Sequence, residues 1–207
     1  MKRVSLDITG VGPMLMHSDR LANPRDPIVR EIKLITSKRT MTDEDLDEKS
    51  WLEFQGGLYW FEGAADEIGG VYLPAWNFKR SFQDGAKINR LGQHVSRGVA
   101  LLHERCMLNF PGRDHASGVR KTEADLFAEG TRFAYTCLVG VQNSRVLRTR
   151  PKFVGWSTNI TVAVDPMVLD VDGFVDIAAR AGRMVGIGDF RQQYGRFEVS
   201  NVSIEDL

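Results

Sequence analysis

The sequence predicts an α+β domain in which two β-α-β halves share one sheet, and three observations carry that expectation. The chain opens on a strand pattern, with Val4, Leu6 and Ile8 on one side and Ser5, Asp7 and Thr9 on the other. After Pro74, Phe78, Phe82 and Ala86 recur at four-residue steps, which gives a helix one buried face. The last fifth reads strand, helix, glycine loop, strand. With 207 residues the chain can bury one sizeable core. The expected organisation is a single domain over 1–207, with a helical insertion at 14–56 and a loop-rich one at 93–130.

The elements follow in order. Gly10 and Gly12-Pro13 end the first strand, and a loop holding Pro24 and Pro27 leads into a helix with Ile28, Ile32 and Ile35 on one side. A second helix starts at Thr42, which has capping-box spacing to Asp45, and Gly56-Gly57 stops it. Short strands at LYWF and VYLP are joined by a glycine-containing turn. The Pro74 helix keeps Lys79, Arg80, Lys87 and Arg90 off its apolar face. One strand is expected near VALLHERCML, then a mobile loop at PGRDHASGVRK. Phe133, Tyr135, Cys137, Val139 and Val141 alternate as a strand, and SRVLRTRPKF continues extended. Ile160, Val162 and Val164 mark another strand. Phe174, Ile177, Ala178, Ala181 and Met184 follow the i, i+3, i+4, i+7, i+10 rule of a helix, which Gly186 and Gly188 terminate. A strand resumes over Arg196 to Val199. This order fits a ferredoxin-like core.

The formal net charge is zero, yet the charge is unevenly placed. Residues 42–53 hold six acids and one lysine, whereas Gly130 to Val164 holds five basic residues and no acid. No stretch approaches the ~20 apolar residues that span a bilayer. MKRVSLDITG alternates instead of running into an apolar segment, so no signal peptide is expected and a cytoplasmic location follows. Cys106 and Cys137 have no CxxC partner and read as reduced, packed thiols. Neither HExxH nor paired CxxC occurs, so no metal and no cofactor is expected.

VGIGDFRQQYGRFEV, near the C-terminus, poses the question of what its glycines approach. A dinucleotide loop needs G-x-G-x-x-G after a strand and before a helix. Here Arg191 occupies the third glycine position and the helix comes first, so that reading fails. What remains is a turn whose backbone can approach something closely at Gly186 and Gly188, with Arg191 and Arg196 beside it. A plain helix C-cap and turn is the alternative.

YLPAWNFKRSFQDGA, a strand end and proline followed by Phe-Lys-Arg opening a helix, resembles the I-P-G-S-S-L-K-G-x-x-R signature of the RAMP superfamily. That family is RNA-recognition-motif-like and includes backbone subunits of CRISPR effector complexes. Its other hallmark, a glycine-rich loop between the last helix and last strand, is matched in place by GIGDFRQQYGRFEV. This sequence departs from the signature at Ala75-Trp76-Asn77 and at Arg80. The resemblance implies a non-catalytic, sequence-independent binder of single-stranded RNA or DNA that forms head-to-tail homo-oligomers along its ligand. A CRISPR-type backbone subunit in a larger ribonucleoprotein, or a phage single-strand-binding protein, would behave so.

Sheets of that type bind single strands through backbone-tracking charges and stacked aromatics. Arg148, Arg150 and Lys152 share one strand face, with Arg145 on the other. Three like charges on one face fit a phosphate backbone, or equally a solvated edge strand protected from aggregation. Lys79 and Arg80 would join the groove if the Pro74 helix lies beside the glycine loop. Trp76, Phe190 and Tyr194 are the candidate stackers. The acidic segment 42–53 and the basic segment 145–152 are expected to meet head-to-tail between subunits; the alternatives are contact within one chain or two independent solvated faces. The rival classes are a metal-independent RNA endonuclease using His17 or Asp26 after the first strand, and a protein-protein scaffold. No catalytic constellation is visible.

Overall fold

The computed structural model describes residues 1–63, 69–112, 121–141 and 144–207. Its main sheet has four antiparallel strands: β1 (Lys2–Gly10), β5 (Val99–Leu101), β9 (Ser157–Val164) and β10 (Phe197–Asp206), in the order β10-β1-β9-β5. Helices α3 (Ala75–Ala86) and α6 (Val171–Met184) supply the crossovers of β1-α3-β5 and β9-α6-β10. With the strands taken in core order, this is the 4-1-3-2 arrangement of the ferredoxin-like fold, as the sequence predicts.

Period-two alternation turns Val4, Leu6, Ile8, Ile160, Val162 and Val164 to one face, all fully buried. The two helices cover that face through Phe78 and Phe82 of α3 and Phe174 of α6. Phe78 meets Phe197 of β10 edge-on at 6.0 Å, and Phe82 meets Phe174 at 5.5 Å. Burying each such ring stabilises the fold by about 1.5–3 kcal/mol.

The insertion after β1 holds β2 (Met14–Leu15), α1 (Pro27–Thr36), α2 (Asp43–Gly57) and β3 (Trp60–Phe61). Asp26 caps α1 by accepting from the Ile28 N–H, with Pro27 in the first turn where its missing N–H costs nothing. Thr42 and Asp45 form the reciprocal capping box that their spacing predicts. β4 (Gly70–Pro74) joins β3 and β6 (Arg105–Met107) in one three-stranded sheet, and β2 joins β7 (Ala134–Val141) and β8 (Ser144–Phe153) in another. Among the described residues, no helix is long and apolar enough to cross a membrane.

Several expectations change. The single strand near VALLHERCML is two strands, because β5 pairs with β9 whereas β6 pairs with β4. Helices α4 (Gly92–Gly98) and α5 (Glu123–Ala128) are short and escaped the periodicity rule. Met184, placed on the buried stripe of α6 by its spacing, is 57% exposed because it is the last residue of the helix. Cys106 is buried and Cys137 half-buried, both free, and burial pushes the Cys106 thiol up to about 12. Residues 113–120 of the loop expected to be mobile, and 64–68 of the β3–β4 turn, lie outside the described residues.

Candidate nucleic-acid interface

The glycine loop begins where α6 ends. Gly186 and Gly188 take φ of +77° and +82°, in the left-handed region that favours glycine. A Cβ on Gly188 would stand 2.3 Å from the Leu15 carbonyl oxygen, and one on Gly186 would stand 2.9 Å from that of Gly195. Both glycines therefore admit close approach by the protein's own backbone. The Asp189 N–H donates to the Leu15 carbonyl at 2.8 Å and the Gly195 N–H to the Pro13 carbonyl at 2.9 Å. The Ser81 hydroxyl of α3 donates to the Gly186 carbonyl at 2.8 Å. The two stretches singled out in the sequence thus touch. Facing outward from the loop is Phe190, 51% exposed at φ +49°.

Beside the loop, α3 presents Trp76, Asn77 and Arg80, which with Ile187, Gly188 and Arg191 line a cleft of about 190 Å³. Asp84 gathers the local cations: Arg80 and Arg191 at 3.4 Å each and Lys87 at 2.7 Å. Partial burial raises the Asp84 pKa, but the hydrogen bond from Lys87 and the charges of Arg80, Lys87 and Arg191 outweigh it and hold the carboxyl below its usual range. Lys79 sits about 100° round the helix from Arg80, away from this cleft.

The hairpin β7–β8 carries the basic run. Its register pairs Arg148 with Cys137 and Arg150 with Tyr135, so these residues and Lys152 share one face while Arg145 opposes Gly140 on the other. Arg150 Nε lies 2.7 Å from Asp189 Oδ2, off hydrogen-bond alignment, and this ion pair ties the hairpin to the glycine loop. Tyr135, Tyr194 and Phe190 form a ladder of rings with successive centroids 6.0 Å apart, and Lys152 Nζ lies 5.8 Å from the Tyr135 ring. The neighbouring Tyr194 hydroxyl pushes the Tyr135 phenol up. Tyr135 was not among the expected stackers. Its place in the alternating strand, opposite Arg150, is the signal that could have found it.

The acidic segment meets the basic one inside the chain. Glu53 of α2, 3% exposed, accepts from Arg148 Nη1 at 2.6 Å, pairs with Lys49 Nζ at 2.8 Å, and accepts the Thr149 N–H at 2.9 Å. Of the six acids in 42–53, only Glu53 meets the basic segment among the described residues, where α2 packs on β8, while Asp43, Glu44, Asp47 and Glu48 are exposed.

His17 links the parts. It lines a cleft of about 220 Å³ with Trp76, Asn77, Gly188 and Asp189, and one of about 470 Å³ with Glu53, Arg148 and Arg150. Its side chain is exposed, yet enough protein surrounds it for lost hydration to lower its pKa. Arg150 and Arg148 push the same way, against Asp189 and Glu53. Trp76 lines the 190 Å³ and 220 Å³ clefts and His17 the 220 Å³ and 470 Å³ ones, so they lie side by side as a grooved surface. Asp26 lies apart as the α1 cap, 3.1 Å from Arg20 Nε. Arg196 precedes β10 outside the groove, its Nη1 buried without a hydrogen-bond partner among the described residues.

The open face of the main sheet is not a stacking platform. It presents Ser5, Asp7, Asn159 and Thr161, which bond one another: Ser5 to Thr161 at 3.0 Å, and Asn159 Nδ2 to Asp7 Oδ1 at 2.9 Å. Asn201 Nδ2 donates to the second Asp7 oxygen at 3.0 Å, and these amide donors lower the Asp7 pKa. The aromatics expected on such a sheet lie on the hairpin and glycine loop instead.

No protein-family profile and no curated protein sequence matches the chain. Among solved structures it is similar to a chain in a cryo-EM structure of the Type III-B Cmr-beta complex bound to cognate target RNA. The identity is 12% and the TM-score 0.43, over 98% of this chain and 60% of the other.

Proposed function

We propose that the chain binds single-stranded nucleic acid in the groove between the glycine loop and the β7–β8 hairpin, holding the strand by its phosphates without cutting it. The observation that carries this reading is a surplus of cations beside an aromatic ladder. Arg80, Lys87 and Arg191 share the single carboxylate of Asp84, Arg148 is 40% exposed beside Glu53, and Lys152 makes no ion pair among the described residues. The pairs at Asp84 are largely exposed on the cation side, so each contributes little to stability and a phosphate can replace the carboxylate at small cost. Tyr135, Tyr194 and Phe190 then offer stacking surface that accepts any base. The likeness of two stretches to the RAMP superfamily supports the same reading.

The test is fluorescence anisotropy with labelled single-stranded RNA and DNA across a salt series. Affinity should fall steeply with salt, each phosphate contact adding about −0.7 to the log–log slope. Arg80→Ala with Lys152→Ala should flatten the slope by roughly twice that amount. No binding to either strand at low salt, or a slope unchanged in the variant, refutes the proposal. Complexes that grow with strand length would extend it to assembly along the ligand. Cleavage lost in His17→Ala would make the groove catalytic.

A further inference from the structure

A larger cleft of about 530 Å³ is lined by Trp76 and by no residue of the glycine loop, and lies within the size range of small-ligand sites. Tyr59, Trp60, Tyr72 and Trp76 contribute aromatic rings to its lining. Trp76 is 51% exposed and also lines the two clefts beside the glycine loop, so its indole borders both spaces. The Tyr72 hydroxyl stands among Asp19, Glu104, Arg20 and Arg105, four charges that converge on the cleft from two separate parts of the chain.

These charges are not equivalent. Arg20 pairs with Asp26 at 3.1 Å, and the Arg105 guanidinium lies 3.9 Å from the centroid of the Phe61 ring. Glu104 is exposed and makes no ion pair among the described residues, while Asp19 accepts the Ser18 hydroxyl at 3.3 Å and keeps further lone pairs. Ionised carboxylates only accept hydrogen bonds. A flat ring stacked against the indole would therefore meet acceptors along its edge.

We infer that this cleft receives one nucleobase turned out of the strand held in the groove, and that Asp19 and Glu104 select a base with an exocyclic amino group. Cytosine presents its N4 amino hydrogens to such carboxylates, whereas uracil presents a carbonyl oxygen that they repel. The strand is gripped without regard to sequence along its phosphates and read at one position. This inference rests on the single-strand reading above.

The experiment compares oligo(C) and oligo(U) RNA of about 12 nucleotides, a length within the usual span of a single-strand site. The two differ in the group at C4 and in the hydrogen on N3, while keeping the same ring size and backbone. Oligo(C) should bind about 5-fold or more tightly than oligo(U). In Asp19→Asn/Glu104→Gln the ratio should collapse toward one, because amides both donate and accept. Both positions are exposed, and an unchanged melting temperature would show that the variant folds. Equal binding of the two strands by the unmodified protein, or a ratio that survives in the variant, overturns the base site while leaving the groove intact. Failure to bind either strand removes the groove, and the base site with it.

Discussion

Replacing Glu53 with leucine should be among the most damaging single changes in this protein. The carboxylate is 3% exposed and holds three donors, of which Lys49 is itself only 7% exposed. Removing it leaves the Lys49 ammonium buried against the Leu147 carbonyl alone, at 2.8 Å, and strips the Thr149 N–H of its partner. Arg148 is 40% exposed, so water takes over there and its contribution is small. The stranded buried cation dominates, and breaking such a pair costs about 3–5 kcal/mol. For a domain of this size each kcal/mol is worth roughly 2–4 °C, so the melting temperature should fall by about 6–20 °C. Urea unfolding and thermal melts of Glu53→Leu, Lys49→Met and the double variant measure this directly. The double variant should recover most of the loss, since neither charge is left behind. A loss below about 1 kcal/mol in Glu53→Leu, or a double variant as unstable as the single, would refute the buried-pair argument.

Two further outcomes follow from the same geometry. Gly188→Ala should destabilise by more than the ~1–2 kcal/mol of a left-handed backbone, because its Cβ meets the Leu15 carbonyl oxygen at 2.3 Å. Gly130→Ala, at φ +58° but facing open space, should cost only the backbone term, and equal melting temperatures for the two would sink the close-approach account. The second outcome concerns pH. Burial lowers the pKa of both His17 and His103 below 6.5, so the unfolded chain binds more protons as pH falls through that value. Their stabilisation is complete above pH 6.5 and is lost as pH drops through the folded values. The carboxyls of Asp7 and Asp84 are held below 3.8 and act only in stronger acid. His17→Gln/His103→Gln should therefore flatten the decline in melting temperature between about pH 6.5 and pH 5. An identical decline in the variant would assign it to other groups.

Long periodic segments were legible in the sequence, and tertiary partners were not. β1, α3, β9 and α6 each expose one apolar face at a fixed period, and each lies where the pattern puts it. Val99 to Met107 reads as one apolar run, because nothing local says that Val99 will pair with Val164 and Cys106 with Leu73. The helices α4 and α5, seven and six residues long, give too few turns for a face to repeat. At the candidate site, the common face of Arg148, Arg150 and Lys152 followed from strand period alone. Their partners Glu53 and Asp189, 95 and 39 positions from Arg148 and Arg150, did not. Charge sums along a sequence show where sign accumulates, and only packing decides whether it is cancelled.

The place of β1 in the sheet has a consequence for how the protein comes to be folded. β1 sits between β9 and β10 and is synthesised before both, so its residues 2–10 wait for partners at 157–164 and 197–206. The glycine loop closes on residues 13–15 across a comparable separation. Contacts this distant are entropically costly to form and slow to nucleate. The central sheet and the groove can therefore assemble only after synthesis has passed β10. Until then β1 carries two unpaired edges and an apolar face, so folding yield falls to whatever keeps nascent chains apart.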